Sequence, residues 1–252
     1  MAGRLFIVTG ASRGMGAAIA AQLLAPGTTL LCLSRHTSEA LTTDAHAAGA
    51  RCEQWAIDLT QPLPAAARVQ AWLESLDAQA FESVTLINNA ALMTRIGALD
   101  DGTDVELSAA MRVGLEAPVL LSAAFLRATR TWTARKRILN ISSGLGRRAM
   151  AGQTPYCAHK AALDHFSRAL ALDEARRDNG ARVVALAPGV IDTDMQVQMR
   201  SADPAGFPDR DRFTGLKEQG QLTSALDAAA RVLAYLDRAD FGTQPVADVR
   251  DP

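Results

Sequence analysis

The segment from Leu5 to Leu24 constrains this chain more than any other. Leu5–Val8 is a short apolar run that passes at once into Thr9, Gly10, Ala11, Ser12, Arg13, Gly14, Met15 and Gly16, and then into an alanine-rich stretch. The pattern predicts strand, glycine turn, helix. Glycine lets a backbone turn sharply and approach a ligand closely, and the helix behind it offers free N–H groups and the positive end of its dipole. Such a turn is a phosphate cradle. Its glycines at positions 10, 14 and 16 depart from the general G-x-G-x-x-G dinucleotide fingerprint.

The rest of the chain keeps the same rhythm. Short apolar runs predict strands at Leu5–Val8, Thr29–Leu33, Cys52–Ile57, Val84–Asn88, Arg137–Ser142 and Arg182–Leu186, with a last short one at Pro245–Asp248. Helical stretches alternate with them at Gly14–Leu24, Ser38–Ala48, Leu63–Ala78, Asp104–Thr129, Gln153–Arg177 and Ser224–Asp237. Alternation of this kind implies one α/β domain over residues 1–252, a doubly wound parallel sheet with helices on both faces and right-handed crossovers. Ligands of such sheets bind beyond the C-terminal strand ends. The segment Ser201–Gly215, with its prolines, glycines and charges, reads as a loop. It is either a lid, with Met195, Met199, Phe207 and Phe213 lining an apolar substrate pocket, or a surface excursion whose aromatics tuck into the core.

A second constellation carries chemistry. Tyr156 and Lys160, four residues apart, share one helix face, and Ser143 closes the fifth strand thirteen residues before Tyr156. A phenol has an ordinary pKa of about 10, and bringing it near neutrality needs roughly 4 kcal/mol. One ammonium about 4 Å away supplies about that much at an effective dielectric of about 20. Ser143 would then hydrogen-bond a carbonyl oxygen while Tyr156 delivers the proton. Cys157 is expected to point away from this face, and His159 to be offset likewise, with no catalytic role.

These residues, in order and spacing, resemble the motif series of the short-chain dehydrogenases/reductases: Thr9 to Gly16, Asp58-Leu59, Asn88 to Ala91, Ser143, Tyr156 with Lys160, and Pro188-Gly189. The C-terminal third, through Ala187–Gln196, Leu216–Leu222, Phe241 and Asp248, is similar to sepiapterin reductases and the related benzil reductases. The resemblance implies a Rossmann-type fold and a nicotinamide cofactor. Gly10, Gly14 and Gly16, with Ser12, Arg13 and Met15 between them, would lie under the pyrophosphate. Asp58 would bond the adenine amino group beside Leu59, and Asn88, followed by Ala90, would hold the adenosine ribose. Lys160 would also bond the nicotinamide ribose, and Pro188, Gly189, Ile191 and Thr193 would border the nicotinamide. Asp248 matches an acidic residue that anchors the pterin in sepiapterin reductases, and it also reads as a solvated charge near a chain end.

Two departures stand out. Aligning on Ala117-Pro118 puts Gly114 where the family usually has an asparagine that supports a water-linked proton relay behind the lysine. Ala91 replaces a usual glycine. The end of the second strand offers no carboxylate for a 2′-hydroxyl; Ser34 and Arg35 stand there, and Arg13 lies in the glycine turn, so two guanidinium groups are available to a 2′-phosphate. The expected cofactor is NADPH. The expected activity is reduction of a bulky or vicinal dicarbonyl compound, with a 3-oxoacyl carrier-protein reductase as the enzymatic alternative and a non-catalytic NADPH sensor as the alternative of another class.

Net charge −1 gives no reason to expect nucleic acid or a lipid surface as partner. The apolar runs look too short and interrupted to span a bilayer, and the chain starts directly with its first strand, so a cytoplasmic location is expected. Cys32, Cys52 and Cys157 form no framework, and His36, His46 and His165 are too scattered for a metal site. The family resemblance implies a homodimer or homotetramer built through the alanine- and leucine-rich helices Asp104–Thr129 and Gln153–Arg177.

Overall fold

The structure is a computed structural model that describes residues 2–251. Its strands are β1 (Gly3–Thr9), β2 (Thr28–Ser34), β3 (Arg51–Ala56), β4 (Phe81–Asn88), β5 (Arg135–Ile141), β6 (Arg182–Ala187) and β7 (Val246–Asp248). They form one parallel sheet in the order β3-β2-β1-β4-β5-β6-β7. The helices are α1 (Gly14–Gln22), α2 (Glu39–Ala47), α3 (Pro62–Glu74), α4 (Asp104–Met111), α5 (Ala117–Ala128), α6 (Thr154–Ala175), α7 (Asp194–Arg200), α8 (Arg210–Glu218) and α9 (Ala225–Leu236).

Successive strand residues face opposite sides, so each strand feeds two cores. Leu5 and Ile7 of β1 pack with Val69 and Leu73 of α3 and with Leu121 and Phe125 of α5. Phe6 and Val8 pack the other way, against Ile19 of α1 and Val232 of α9. All are fully or nearly fully buried, and each such side chain is worth roughly 1.5–3 kcal/mol of transfer free energy. The chain winds outward from β1 to β3, then crosses back to β4, so the ends of β1 and β4 form the switch point of the sheet. Thr9 fastens that point: its Oγ1 accepts from the backbone N–H groups of Asn89 and Ala90, both at 2.9 Å.

Three expectations need correction. The loop expected at Ser201–Gly215 becomes helix α8 from Arg210 onward. Phe213 and Leu216 turn inward there while the arginines and aspartates stay in water, an amphipathic pattern too short to stand out beside the prolines. The single helix expected at Asp104–Thr129 is interrupted by a π-helical turn at Arg112–Glu116, in which Ala117 N–H reaches back to the Arg112 carbonyl. Pro118 explains it: the ring has no N–H for the carbonyl of Gly114 four residues back and collides with it in a regular α-helix.

Asp104–Ala128 is also long and apolar enough to cross a membrane by length and composition, contrary to the sequence reading. In the fold its Ala117, Leu121, Ala124 and Phe125 belong to the protein core.

Candidate active site

A cleft of about 570 Å³ opens at the C-terminal ends of β1, β2, β4, β5 and β6. Its size is that of a small-molecule site. One wall is the glycine turn. Gly10 holds φ +69 and donates its N–H to the Leu33 carbonyl at 2.7 Å, which bends the chain out of β1. A Cβ at Gly16 would lie 2.1 Å from the Gly10 carbonyl oxygen, so only glycine lets helix α1 start this close to the strand. No side chain caps α1, which leaves its first N–H groups for an anion. A methyl at Gly14 would project across the cleft toward Thr193, at 3.7 Å from its Cγ2. Ser12, Arg13, Met15, Leu33, Ser34 and Arg35 complete this wall.

The switch point itself corrects one assignment. Asn88, expected at a ribose, is buried inside the fold, where its Nδ2 donates to Asn140 Oδ1 at 2.8 Å, and Asn140 in turn donates to Ser167 Oγ of α6. This polar ladder sets β4, β5 and α6 against one another. Its neighbour Asn89 is the cleft residue, with its Nδ2 donating to the Thr9 carbonyl at 2.9 Å, and Ala90 and Ala91 stand beside it. Ala91 has no positive φ, so it fits where a glycine was expected. Asp58 is exposed and outside the cleft lining; its carboxylate accepts from Thr60 N–H, whereas Leu59 and Thr60 line the cleft.

The opposite wall holds Pro188, Gly189, Ile191 and Thr193. Backbone bonds to Thr223 fix this turn: Thr223 N–H donates to Val190 O and Asp192 N–H donates to Thr223 O, each at 2.9 Å. Met195, Met199 and Phe213 follow along the cleft. Phe207 does not line it; it is fully buried and stacks on Phe213 at 5.6 Å, so it supports the wall from behind. Asp248 does not line it either. Its carboxylate takes two bonds from Arg250, at 2.7 and 2.6 Å, and lies 3.7 Å from Arg147, an arrangement that holds it below the usual carboxylate range. Arg148 and Arg250 line the cleft instead. Neither was singled out in the sequence, because nothing local marks an arginine as facing a cavity.

Ser143, Tyr156 and Lys160 meet at the inner end. Ser143 leaves β5 in extended conformation, and Tyr156 and Lys160 sit one turn apart near the start of α6. Burial pushes the Tyr156 phenol up to about 12, against a hydrogen bond with Ser143 that pulls it down. Burial brings Lys160 down to about 8, with Asp164 opposing. The ammonium of Lys160 donates to the Ile141 carbonyl at 2.7 Å, and lies 5.6 Å from the centre of the Tyr156 ring. The direct acidification expected from the sequence is therefore absent from the protein alone: the phenol keeps its proton and is set up as a donor. Ser142 donates to the buried Asp164 carboxylate, whose pKa burial raises.

His159 is misplaced by the sequence reading. Three residues after Tyr156 it is on the same helix face, fully buried, edge-on to the Tyr156 ring at 4.9 Å between centres.

The cradle and the inner constellation together suit a dinucleotide cofactor and a carbonyl or alcohol. Comparison with known proteins agrees. The chain is 33% identical over 238 residues, 94% of its own length and 96% of the relative's, to a benzil reductase ((S)-benzoin forming) from Bacillus cereus. It is 32% identical to a sepiapterin reductase from Meriones unguiculatus, over 97% and 95% of the two chains. Among solved structures it superposes with TM-score 0.79 and 25% identity on a 3-oxoacyl-[acyl-carrier protein] reductase from Brucella melitensis in complex with NAD, covering 99% and 96% of the chains. A sequence model described as short chain dehydrogenase matches residues 4–204, and this protein belongs to that family, an oxidoreductase acting on a CH–OH/C=O group.

Proposed function

We propose that the protein is an NADPH-dependent carbonyl reductase acting on a bulky or vicinal dicarbonyl compound of the benzil or keto-pterin type. The observation that carries this reading is the meeting of Ser143, Tyr156 and Lys160 at the inner end of a cleft with a glycine cradle on one side and Met195, Met199 and Phe213 on the other. Arg35 and Arg13 at the cradle support the phosphorylated cofactor. When bound, the dinucleotide supplies a hydride to the carbonyl carbon.

The chain does the rest. The glycine turn and the uncapped start of α1 hold the pyrophosphate, while the Pro188–Thr193 turn orients the nicotinamide. Ser143 donates a hydrogen bond to the substrate oxygen, and Tyr156 gives that oxygen its proton. Lys160 keeps a positive charge beside the phenolate that results, and so stabilises it. A flat aromatic diketone suits the methionine and phenylalanine wall, since thioethers and rings adapt to planar faces.

One observation favours a second reading. Arg148 in the cleft lining, which forms no ion pair among the described residues while Arg250 is held by Asp248, would suit an anionic group, as on an acyl chain carried by an acidic protein. NADPH oxidation measured against benzil, a keto-pterin and a 3-oxoacyl thioester separates the readings. Turnover of the diketone or pterin supports the first, turnover of the thioester alone the second. No turnover together with tight NADPH binding would turn the protein into a sensor. The helices α5 and α6 are proposed to pair between subunits in a homodimer or homotetramer, which light scattering reads directly.

A further inference from the structure

The position usually filled by an asparagine behind the lysine is Gly114, and the structure shows what takes that space. A Cβ at Gly114 would lie 2.5 Å from His159 Nδ1, 2.6 Å from its Cγ and 2.7 Å from its Cε1. The imidazole is thus laid flat against the glycine, inside the π-helical turn that Pro118 imposes. The two positions are complementary: any side chain at 114 would evict the ring, and any smaller residue at 159 would leave a hole. His159 is fully buried, and neither of its ring nitrogens has a hydrogen-bond partner among the described residues. Buried ring nitrogens are as a rule hydrogen-bonded, to protein or to ordered water.

We propose that His159 is a positioning residue for Tyr156 and Lys160: its imidazole, seated where Gly114 leaves space, braces the tyrosine ring, and its two ring nitrogens supply the hydrogen bonding that no side chain at position 114 can provide. Three neighbours support it. The ring is edge-on to Tyr156 at 4.9 Å, it precedes Lys160 directly, and it faces the turn whose Gly114 carbonyl loses its helical donor to Pro118. Lys160 is the charge it feels, and Lys160 in turn feels Asp164. Burial first and Lys160 second bring the imidazole down to about 3, so it stays neutral, with one donor and one acceptor nitrogen, at any pH at which the enzyme works.

The inference rests on the carbonyl-reductase reading for its kinetic arm only. His159→Leu fills the space without hydrogen bonding, and His159→Gln keeps a donor and an acceptor. With NADPH and a turned-over diketone, His159→Leu is expected to lose at least about tenfold in kcat at unchanged KM for NADPH, and to shift the alkaline limb of the pH profile; His159→Gln recovers most of the loss. Wild-type kcat and pH profile in a folded His159→Leu, with NADPH binding intact, would show a packing residue and overturn the proposal. Nitrogen-15 NMR of labelled histidine in the unsubstituted protein tests it without turnover or mutation. Hydrogen-bonded shifts at both His159 nitrogens, unchanged between neutral and mildly acid pH, support it, and free nitrogens refute it. Failure of every carbonyl in the panel would sink the functional reading while leaving this NMR result to stand.

Discussion

The two walls of the cleft are built by different means. The glycine wall is backbone: Gly16 admits no Cβ, Gly10 holds a left-handed φ, and Thr9, Asn89 and the Leu33 carbonyl tie it to the sheet. The facing wall beyond Thr193 is side chain: Met195, Met199 and Phe213 rest on the buried Phe207, carried by two short helices. A backbone wall suits a group common to every dinucleotide, the pyrophosphate. A side-chain wall can be exchanged residue by residue without moving the sheet, which is where selectivity among carbonyl compounds is expected to reside. Tyr156 stands where the walls meet and belongs to neither.

The sharpest way to break this division is to remove the junction. Tyr156→Phe deletes only the proton donor, so kcat/KM for carbonyl reduction is expected to fall by about 10²–10⁴ while NADPH affinity, measured by fluorescence titration, stays unchanged. A parallel loss of cofactor affinity would mean that the tyrosine is part of the cradle after all.

The next test separates the two phenylalanines. Phe207→Ala empties a fully buried site and is expected to cost about 3–5 kcal/mol in denaturant unfolding. Phe213→Ala, at the cleft surface, is expected to raise KM for a bulky diketone and leave KM for NADPH alone. Equal kinetic effects of the two would erase the distinction between lining and support.

The same contrast explains what could be read from the sequence. Strand runs and the glycine turn follow from local composition, so the strands were legible to within three residues at each end and the turn between β1 and α1 with them. Tyr156, Lys160 and Ser143 were legible because one helix turn and one strand end fix their geometry. Asn88 and Asn89 were not separable, since adjacent strand-end residues face opposite ways and the register is set by pairing with β1 and β5. Helix α8 was hidden because its apolar face is only Phe213 and Leu216. His159 was misjudged for a different reason: its spacing of three from Tyr156 is as good as the spacing of four, and only the long-range contact with Gly114 gives the ring its meaning.

A pH series acts on the junction rather than on either wall. Lys160 titrates at about 8 in the folded protein, against 10.5 ordinarily. Its ammonium is present below that pH, so kcat/KM for reduction is expected to fall about tenfold per unit above it. Stability should move the opposite way. Between about 8 and 10.5 the unfolded chain binds the extra proton, so the unfolding free energy rises with pH across that window. Lys160→Met should abolish both trends; an alkaline limb that survives in this variant would assign the titration to another group.

The smallest expected effect concerns the link between the walls. Arg13 of the glycine turn donates to Asp194 at the start of α7 at 2.7 Å, and both side chains are about two-thirds exposed or more, so water screens the pair. The contact costs little to break, and a phosphate arriving near Arg13 offers the guanidinium a doubly charged partner in its place. Arg35 has no such competitor among the described residues, since no ion pair forms on it. Arg35→Ala is therefore expected to lower the ratio of kcat/KM for NADPH over NADH by about tenfold, the worth of one charged hydrogen bond. Asp194→Asn, which frees Arg13, should raise that ratio a few-fold. A ratio indifferent to Asp194 would show that Arg13 stays with the substrate-side wall when the cofactor binds, and that Arg35 alone reads the phosphate.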